Sequence, residues 1–431
     1  MTEALYGFAA LFALIFLRVP IAIATIVVGF VGFAAKVGTA PALAMVAQFT
    51  YDTGLTYGFS VLPLFILMGN FVNRAGFSDE LYAASYAFLG HRRGGLAMAT
   101  IVACGGLASI SGSSYATAAT MVKVAMPPMR RFGYADSFAA GSIAAGATLG
   151  ILIPPSIVLV IYGIITETDI GALFIAGVVP GLIGIAGYTA AVAVATRIDP
   201  ALGPRGERTP WPERLRSLTR VWGVLILFAI VIGGIYGGVF TPTEAAGIGA
   251  AGAFLFALAR GRTSARVLFD VFVESGRTTA MIFFVIIGAL VFGNFINISG
   301  LPIQVSGWIR ALEVPPLAVV LVIMAIYIVL GCILESLSMI LLTVPVFFPI
   351  MIGFGYDPVW FGIIVVVVTE ISLITPPIGL NVFVVRALLP DVPTGAIFRG
   401  VMPFIAADVV RLLLFVLVPW VILFLPQMML K

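Results

Sequence analysis

The chain has 431 residues, of which 61% are hydrophobic and 10% charged, with a net charge of +4 and a single histidine. A soluble domain carries about a quarter charged residues, so this composition excludes a water-soluble fold and indicates a polytopic helical membrane protein. The basic residues sit in short loops between apolar runs, where they set orientation rather than form a nucleic-acid surface. His91, alone in a basic loop, leaves no His-based metal centre or catalytic triad, and Cys104 and Cys332 lie in apolar context as small core residues.

Apolar runs near the roughly 20 residues that span a bilayer recur along the chain. The run from Met1 to Leu17 crosses once and ends at Arg18, and Pro20 to Ala35 crosses back. It lacks a basic leader and a small-residue cleavage site, so it reads as a first helix and not a signal. Pro41 to Tyr51 forms a short interfacial arm with its proline at the helix start. Tyr57 to Val72 crosses again, and a second arm, Asp79 to Leu89, leads to His91, Arg92 and Arg93.

The stretch from Gly94 to Met129 has arginines at both ends, Arg92 and Arg93 before it and Arg130 and Arg131 after it. Both ends therefore face the cytoplasm. With Ser111, Gly112, Ser113 and Ser114 breaking it midway, the predicted form is a re-entrant hairpin whose polar tip lies inside the membrane. Two full spans joined by a serine-rich outer loop remain the alternative. Tyr134 to Thr166 then crosses with a break at Pro154 and Pro155, and Leu173 to Thr196 returns to Arg197.

The second half repeats the first. Pro20 recurs as Pro242, Pro127 as Pro349, Gly133 and Tyr134 as Gly355 and Tyr356, and Pro154 and Pro155 as Pro376 and Pro377, each 222 positions on. Gly69, Asn70, Phe71, Asn73 and Gly76 recur 224 positions on as Gly293, Asn294, Phe295, Asn297 and Gly300. The expectation is an all-α membrane protein of two inverted repeats, residues 1–197 and 219–431, joined by a cytoplasmic linker at 198–218 that is rich in Pro, Gly and Arg. Each repeat contributes about five crossings and one hairpin, and that odd number inverts the second. The second hairpin, Leu317 to Met351, follows Arg310 and Glu313 and enters from outside.

Polar groups are costly in a membrane core, so they mark cavities or partners. Symmetry brings four segments together: the first tip (Ser111, Gly112, Ser113, Ser114, then Thr117), the second tip (Glu335, Ser336, Ser338), and the breaks Ile153, Pro154, Pro155, Ser156 and Thr375, Pro376, Pro377, Ile378, Gly379, with Asn381 beyond. Tandem prolines remove two backbone donors and open the helix. The freed carbonyls, with Ser and Thr hydroxyls, suit Na⁺. The helix N-termini that follow suit a carboxylate. The candidates for solute are thus Ser113, Ser114, Thr117, Ser336 and Asn381. Those for Na⁺ are Ser111, Gly112, Ile153, Pro154, Ser156, Glu335, Ser338, Thr375, Pro376 and Gly379. The competing reading is a pair of proline kinks with Ser and Thr bonded back into their own helices. Glu370 could balance a cation, couple protons or pack neutrally. Lys123 snorkels to the cytoplasmic face. Asn70, Asn73, Asn294 and Asn297 bond between helices, and Asp408 and Arg411 form a local ion pair.

The runs GLASISGSSYATAATMVKVAMPPMRRFGY, GATLGILIPPSIVLVIYG and LFIAGVVPGL, with PVFFPIMIGFGYDPVWFG and EISLITPPIGLNVFVV, resemble the large membrane subunit of tripartite ATP-independent periplasmic (TRAP) transporters over nearly the whole chain. The resemblance implies Na⁺-driven uptake of an organic acid, such as a dicarboxylate or sugar acid, across a bacterial or archaeal inner membrane. It implies a periplasmic solute-binding protein, and a small four-helix membrane subunit expected on a separate chain because no such extension precedes Met1. It carries the family's tip serines onto Ser113 and Ser114 and its proline breaks onto Pro154, Pro155, Pro376 and Pro377. The family often has a carboxylate at the Glu335 position, commonly the shorter one. An elevator motion of hairpins and broken helices is also implied.

A stand-alone Na⁺/dicarboxylate symporter is the alternative within transport. An intramembrane hydrolase would lack a histidine base for its tip serines, and a channel fits the polar tips less well. The chain is therefore expected not to be an enzyme. With both termini expected in the periplasm and the linker inside, a Ser217→Cys variant should resist impermeant thiol reagents added to intact cells from the periplasmic side. Free labelling would overturn this topology.

Overall fold

The computed structural model describes residues 2–311 and 313–429, without the side chains of residues 108–111 and 310, so the side chains of Ser111 and Arg310 lie outside it. Among the described residues every regular element is helical. The half of the chain read as the first repeat holds α1 (Thr2–Phe16), α2 (Ile21–Val37), α3 (Thr39–Leu55), α4 (Val61–Arg74), α5 (Phe77–Leu89), α6 (Gly95–Ser111), α7 (Ser114–Arg131), α8 (Asp136–Thr148), α9 (Ile157–Thr166) and α10 (Ile170–Ile198). The second holds α11 (Trp211–Tyr236), α12 (Pro242–Ala259), α13 (Ala265–Ile298), α14 (Leu301–Ala311), α15 (Pro316–Leu330), α16 (Ser336–Gly353), α17 (Pro358–Ser372), α18 (Leu380–Leu388), α19 (Thr394–Leu417) and α20 (Trp420–Met429).

Among the described residues six helices are long and apolar enough to cross a bilayer, namely α10, α11, α12, α13, α16 and α19. A seventh span results if α3 and Tyr57–Arg74, which meet at 57°, count as one. The other apolar helices are shorter, and several of them, among them α6, α9 and α17, end or begin at a hairpin tip or a Pro-Pro break. The two repeats differ at that bend. Pro63 in the first turn of α4 has no N–H to carry a helix through from α3. The equivalent residues of the second repeat contain no proline and form the unbroken 34-residue α13.

The repeats interleave in space. α2 packs on α13, and α4 packs on α12 and α13, so the leading helices of each repeat build one module together. α8 packs against α6, α7 and α19; α18 against α7 and α8; α9 against α16 and α17; and α10 against α19 and α20. These form a second module. α4 and α5 against α6, and α13 and α14 against α16, join the two. At the centre of the second module α8 is buried from Phe138 to Thr148 and α17 from Trp360 to Ser372, on every face. Both are mostly apolar, with buried polar residues, Thr148 on α8 and Thr369, Glu370 and Ser372 on α17, near the ends that lead toward the Pro-Pro breaks.

The linker read at 198–218 is shorter in the structure, because α11 already begins at Trp211. Pro212 sits in its first turn, where a missing donor costs little. What precedes it is tied down: the Gly206 N–H donates to Gly90 O at 2.9 Å and the Gly94 N–H to Gly203 O at 2.8 Å.

Without a hydrophobic drive between helices in lipid, close packing of small residues holds them together. The tightest such contact joins the repeats where α8 meets α19: a Cβ added at Gly400 would lie 1.8 Å from Ser137 O, and one at Gly141 2.4 Å from Gly400 C. Gly400→Ala must separate these helices and should cost about 1–3 kcal/mol, read as a lower thermal midpoint in detergent. Gly395→Ala, one turn earlier with nothing within 4 Å of its Cβ, should leave the midpoint unchanged or raise it.

Candidate functional site

Each hairpin turns on residues that cannot continue a helix. Gly112 has φ +60 and separates α6 from α7. Ser113 follows in extended conformation, and its Oγ accepts the Ala116 N–H at 3.3 Å, capping α7. At the second tip Glu335 is extended and precedes α16, and the Ser338 hydroxyl donates to its Oε1 at 3.3 Å. The two tips meet. Gly112, Ser113 and Ser114 line one cavity of about 230 Å³ together with Glu335 and Ser336. Two fully spanning hairpins of opposite polarity would hold their tips a bilayer apart, so the shared cavity favours the re-entrant form.

The facing wall comes from the other module. Asn70 and Asn73 of α4, and Glu274 and Thr278 of α13, complete the lining. Asn70 donates to Ser275 Oγ at 2.8 Å, the interhelical bond expected of it. Asn73 Oδ1 and the Tyr115 hydroxyl are buried with no partner among the described residues. The sequence placed these asparagines between helices and gave them no part in a site. Their recurrence as Asn294 and Asn297 was the available signal, and that second pair lines a smaller cavity of about 180 Å³ with Leu341 and Pro345 of α16.

The Pro-Pro breaks lie beside the tips but do not line the cavity. Break one touches tip one through Ile157, whose Cδ1 would lie 3.1 Å from a Cβ at Gly112. Break two touches tip two's approach through Cys332, whose Sγ is 4.0 Å from Pro376 O. The Ser156 hydroxyl donates to Ile151 O and accepts the Leu159 N–H at 3.2 Å, so it caps α9. No described residue donates to the carbonyls of Ile153, Pro154 or Pro155, or to those of Ile374, Thr375, Pro377 or Ile378. Thr375 bonds back to Ile371 O at 2.6 Å. Gly379, at φ +58, begins α18, and the Asn381 N–H crosses the break to Leu373 O at 3.0 Å. Thr117 and Asn381 are fully buried and away from the cavity. Asn381 Nδ2 instead donates to Ala144 O at 3.2 Å, tying α18 to α8. Lys123 is exposed.

Behind break one lies a polar cluster that the sequence suggested only in part. The Asp408–Arg411 pair is present, with Nη2 2.8 Å from Oδ1. The same nitrogen reaches Glu370 Oε2 on α17 at 2.8 Å. The Tyr188 hydroxyl donates to Asp408 Oδ2 at 2.7 Å. Gly184 makes room for the guanidinium, since a Cβ there would lie 2.4 Å from Nη1. All three charged side chains are at most 4% exposed. Glu370 and Asp408 are far apart in sequence, so only the fold could reveal that they share one arginine.

Two helical hairpins, two unwound helices and a small cavity between modules define a secondary-transporter architecture. Residues 8–421 match the family described as "Tripartite ATP-independent periplasmic transporter, DctM component". The chain is 39% identical over 88% of its length, and 88% of the relative's, to the C4-dicarboxylate TRAP transporter large permease protein DctM of Pseudomonas aeruginosa. It is 33% identical to the sialic acid TRAP transporter large permease protein SiaM of Vibrio cholerae, over 86% of each. The fold is similar to the YdaH transporter of Alcanivorax borkumensis, with a TM-score of 0.62 at 16% identity over 90% of both chains. This chain belongs to the DctM family of TRAP transporters and is a multi-pass membrane protein.

Removing Arg411 leaves two buried carboxylates without their cation. Arg411→Met should destabilise the protein by about 3–5 kcal/mol, measured as thermal unfolding in detergent. The triple variant Glu370→Gln, Asp408→Asn, Arg411→Met should recover much of that loss. Equal stability of the single variant and the wild type would mean the cluster carries no net charge interaction.

Proposed function

We propose that this chain is the large membrane subunit of a Na⁺-coupled importer of a small organic acid, working with a periplasmic solute-binding protein and a separate small membrane subunit. The cavity shared by both hairpin tips carries the reading. Its roughly 230 Å³ is below the ~300–1,000 Å³ typical of drug-sized pockets, so it suits a small solute. The first-turn N–H groups and positive dipole ends of α7 and α16 begin at its wall, where a carboxylate is favoured. Ser113, Ser114 and Ser336 offer hydroxyls beside them. Relatives named for C4-dicarboxylate and sialic acid both carry carboxylate solutes, and their naming as large permease proteins implies a smaller partner.

Na⁺ would sit between tip and break on each side. The carbonyls at Ile153 and Pro154 serve one side. Those at Thr375 and Pro376, with Gly379, serve the other, and Glu335 and Ser338 stand at the second tip. Thr117 and Asn381 act as packing residues in this reading, not solute ligands. The second module, which owns both tips and both breaks, would move past the first as an elevator and carry the site with it.

The test is uptake by proteoliposomes containing both membrane subunits and the binding protein. Uptake should require Na⁺ and not ATP. Ser336→Ala should raise the solute concentration for half-maximal uptake roughly five- to 30-fold, the scale of one lost hydrogen bond. Equal uptake in Na⁺-free buffer under a proton gradient would refute the cation assignment.

A further inference from the structure

A third cavity lies where α6 begins and α10 ends, away from the residues of either tip or break. It measures about 560 Å³ and is lined by His91, Arg92, Arg93, Thr196, Arg197 and Arg205 among others, with no acidic residue in its wall. Three separate segments supply these groups: the loop between α5 and α6, the end of α10, and the linker. The linker is strapped across the loop by the paired backbone bonds Gly206 to Gly90 and Gly94 to Gly203, and the Ala135 N–H adds a third to Leu202 O at 3.3 Å. The basic wall is thus built by fixed backbone and not by a chance meeting of free side chains.

None of Arg92, Arg93, Arg197 or Arg205 has a carboxylate within ion-pairing distance among the described residues. The nearby Asp199 is turned away, its Oδ1 accepting the Ala201 N–H at 3.0 Å. The field of this wall is felt by His91, which stands in a loop outside the spans. Burial first, and then Arg214, Arg92, Arg208 and Arg205, hold its imidazole below the ordinary value. Four like charges held together without a counter-charge repel one another, so the site is poised for an anion.

We propose that this basic bowl binds the phosphate of an anionic phospholipid headgroup at the cytoplasmic face. The arginine fork suits phosphate oxygens, and basic pockets at the cytoplasmic ends of membrane helices take such headgroups. A lipid, and not free phosphate, is favoured by the rim. Ile198, next to Arg197, is 80% exposed, Val194 one turn earlier 54%, and Trp211 at the start of α11 63%. These exposed apolar side chains on the same segments as the wall offer a surface for acyl chains. Because the bowl joins the loop after α5, the end of α10 and the linker between the repeats, a bound headgroup would bridge the two modules.

The experiment is native mass spectrometry of the purified full chain in mixed micelles, titrated with phosphatidylglycerol or phosphatidylcholine. Wild type should retain phosphatidylglycerol preferentially. Arg93→Gln with Arg205→Gln should weaken that retention about 30-fold, the loss of two charges near an anionic surface, while Arg93→Lys with Arg205→Lys keeps most of it. Equal retention of both lipids, or unchanged retention in the Gln variant, overturns the proposal. So does full displacement by millimolar inorganic phosphate, which would make this a free-anion site. Should the Gln pair fail to fold, Arg93→Gln alone, with a smaller expected loss of about fivefold, carries the same test.

Discussion

Lipid offers no hydrogen bonds to an open backbone, so any unwound segment at membrane depth must be enclosed by protein. This chain unwinds at four places, two hairpin tips and two Pro-Pro breaks, and the rest of the fold encloses them. α8 and α17 are buried on every face because each leads into a break. α10, α19 and α20 wrap them, and the close contact of Gly141 with Gly400 locks the wrapping. The polar atoms released at the openings are thereby kept from lipid.

Interleaving of the repeats follows from the same need. A single repeat has one tip and one break and no way to close a cavity around them. Crossing the two halves packs α7, which follows tip one, on α18, which follows break two, and α16, which follows tip two, on α9, which follows break one, with both tips facing one space. The asparagines of α4 and the polar residues of α13 face that space from the first module. The cavity therefore lies on the boundary between the two modules.

Charge is handled differently at the two ends of the second module. Inside, two carboxylates share Arg411 with help from Tyr188, so the buried charge is largely compensated. At the basic cavity, arginines gather with no carboxylate among the described residues within ion-pairing distance, which their exposure to solvent makes tolerable. Arg130 shows the intermediate case: it pairs with both Asp136 and Asp391 and clasps the start of α8 to the α18–α19 connection.

Much of this was legible in the sequence, because membrane proteins write their constraints in few residue types. Prolines at a constant offset marked the two Pro-Pro breaks, and glycine with serine marked the turn between α6 and α7. Gly112, Ser113, Ser114, Glu335 and Ser336 were all identified as tip residues, since only a site or a cavity tolerates such groups at depth. What the sequence left open depends on distance between segments remote in the chain. It could not show that Asn70 and Asn73 line the cavity, that the Asn381 amide reaches Ala144 O, or that Glu370 and Asp408 divide one guanidinium. Nor could it show that the linker folds back to complete a basic wall. Periodicity and spacing fix what a residue can do locally. Which remote partner it meets is set by helix packing, and that was decided only in the folded molecule.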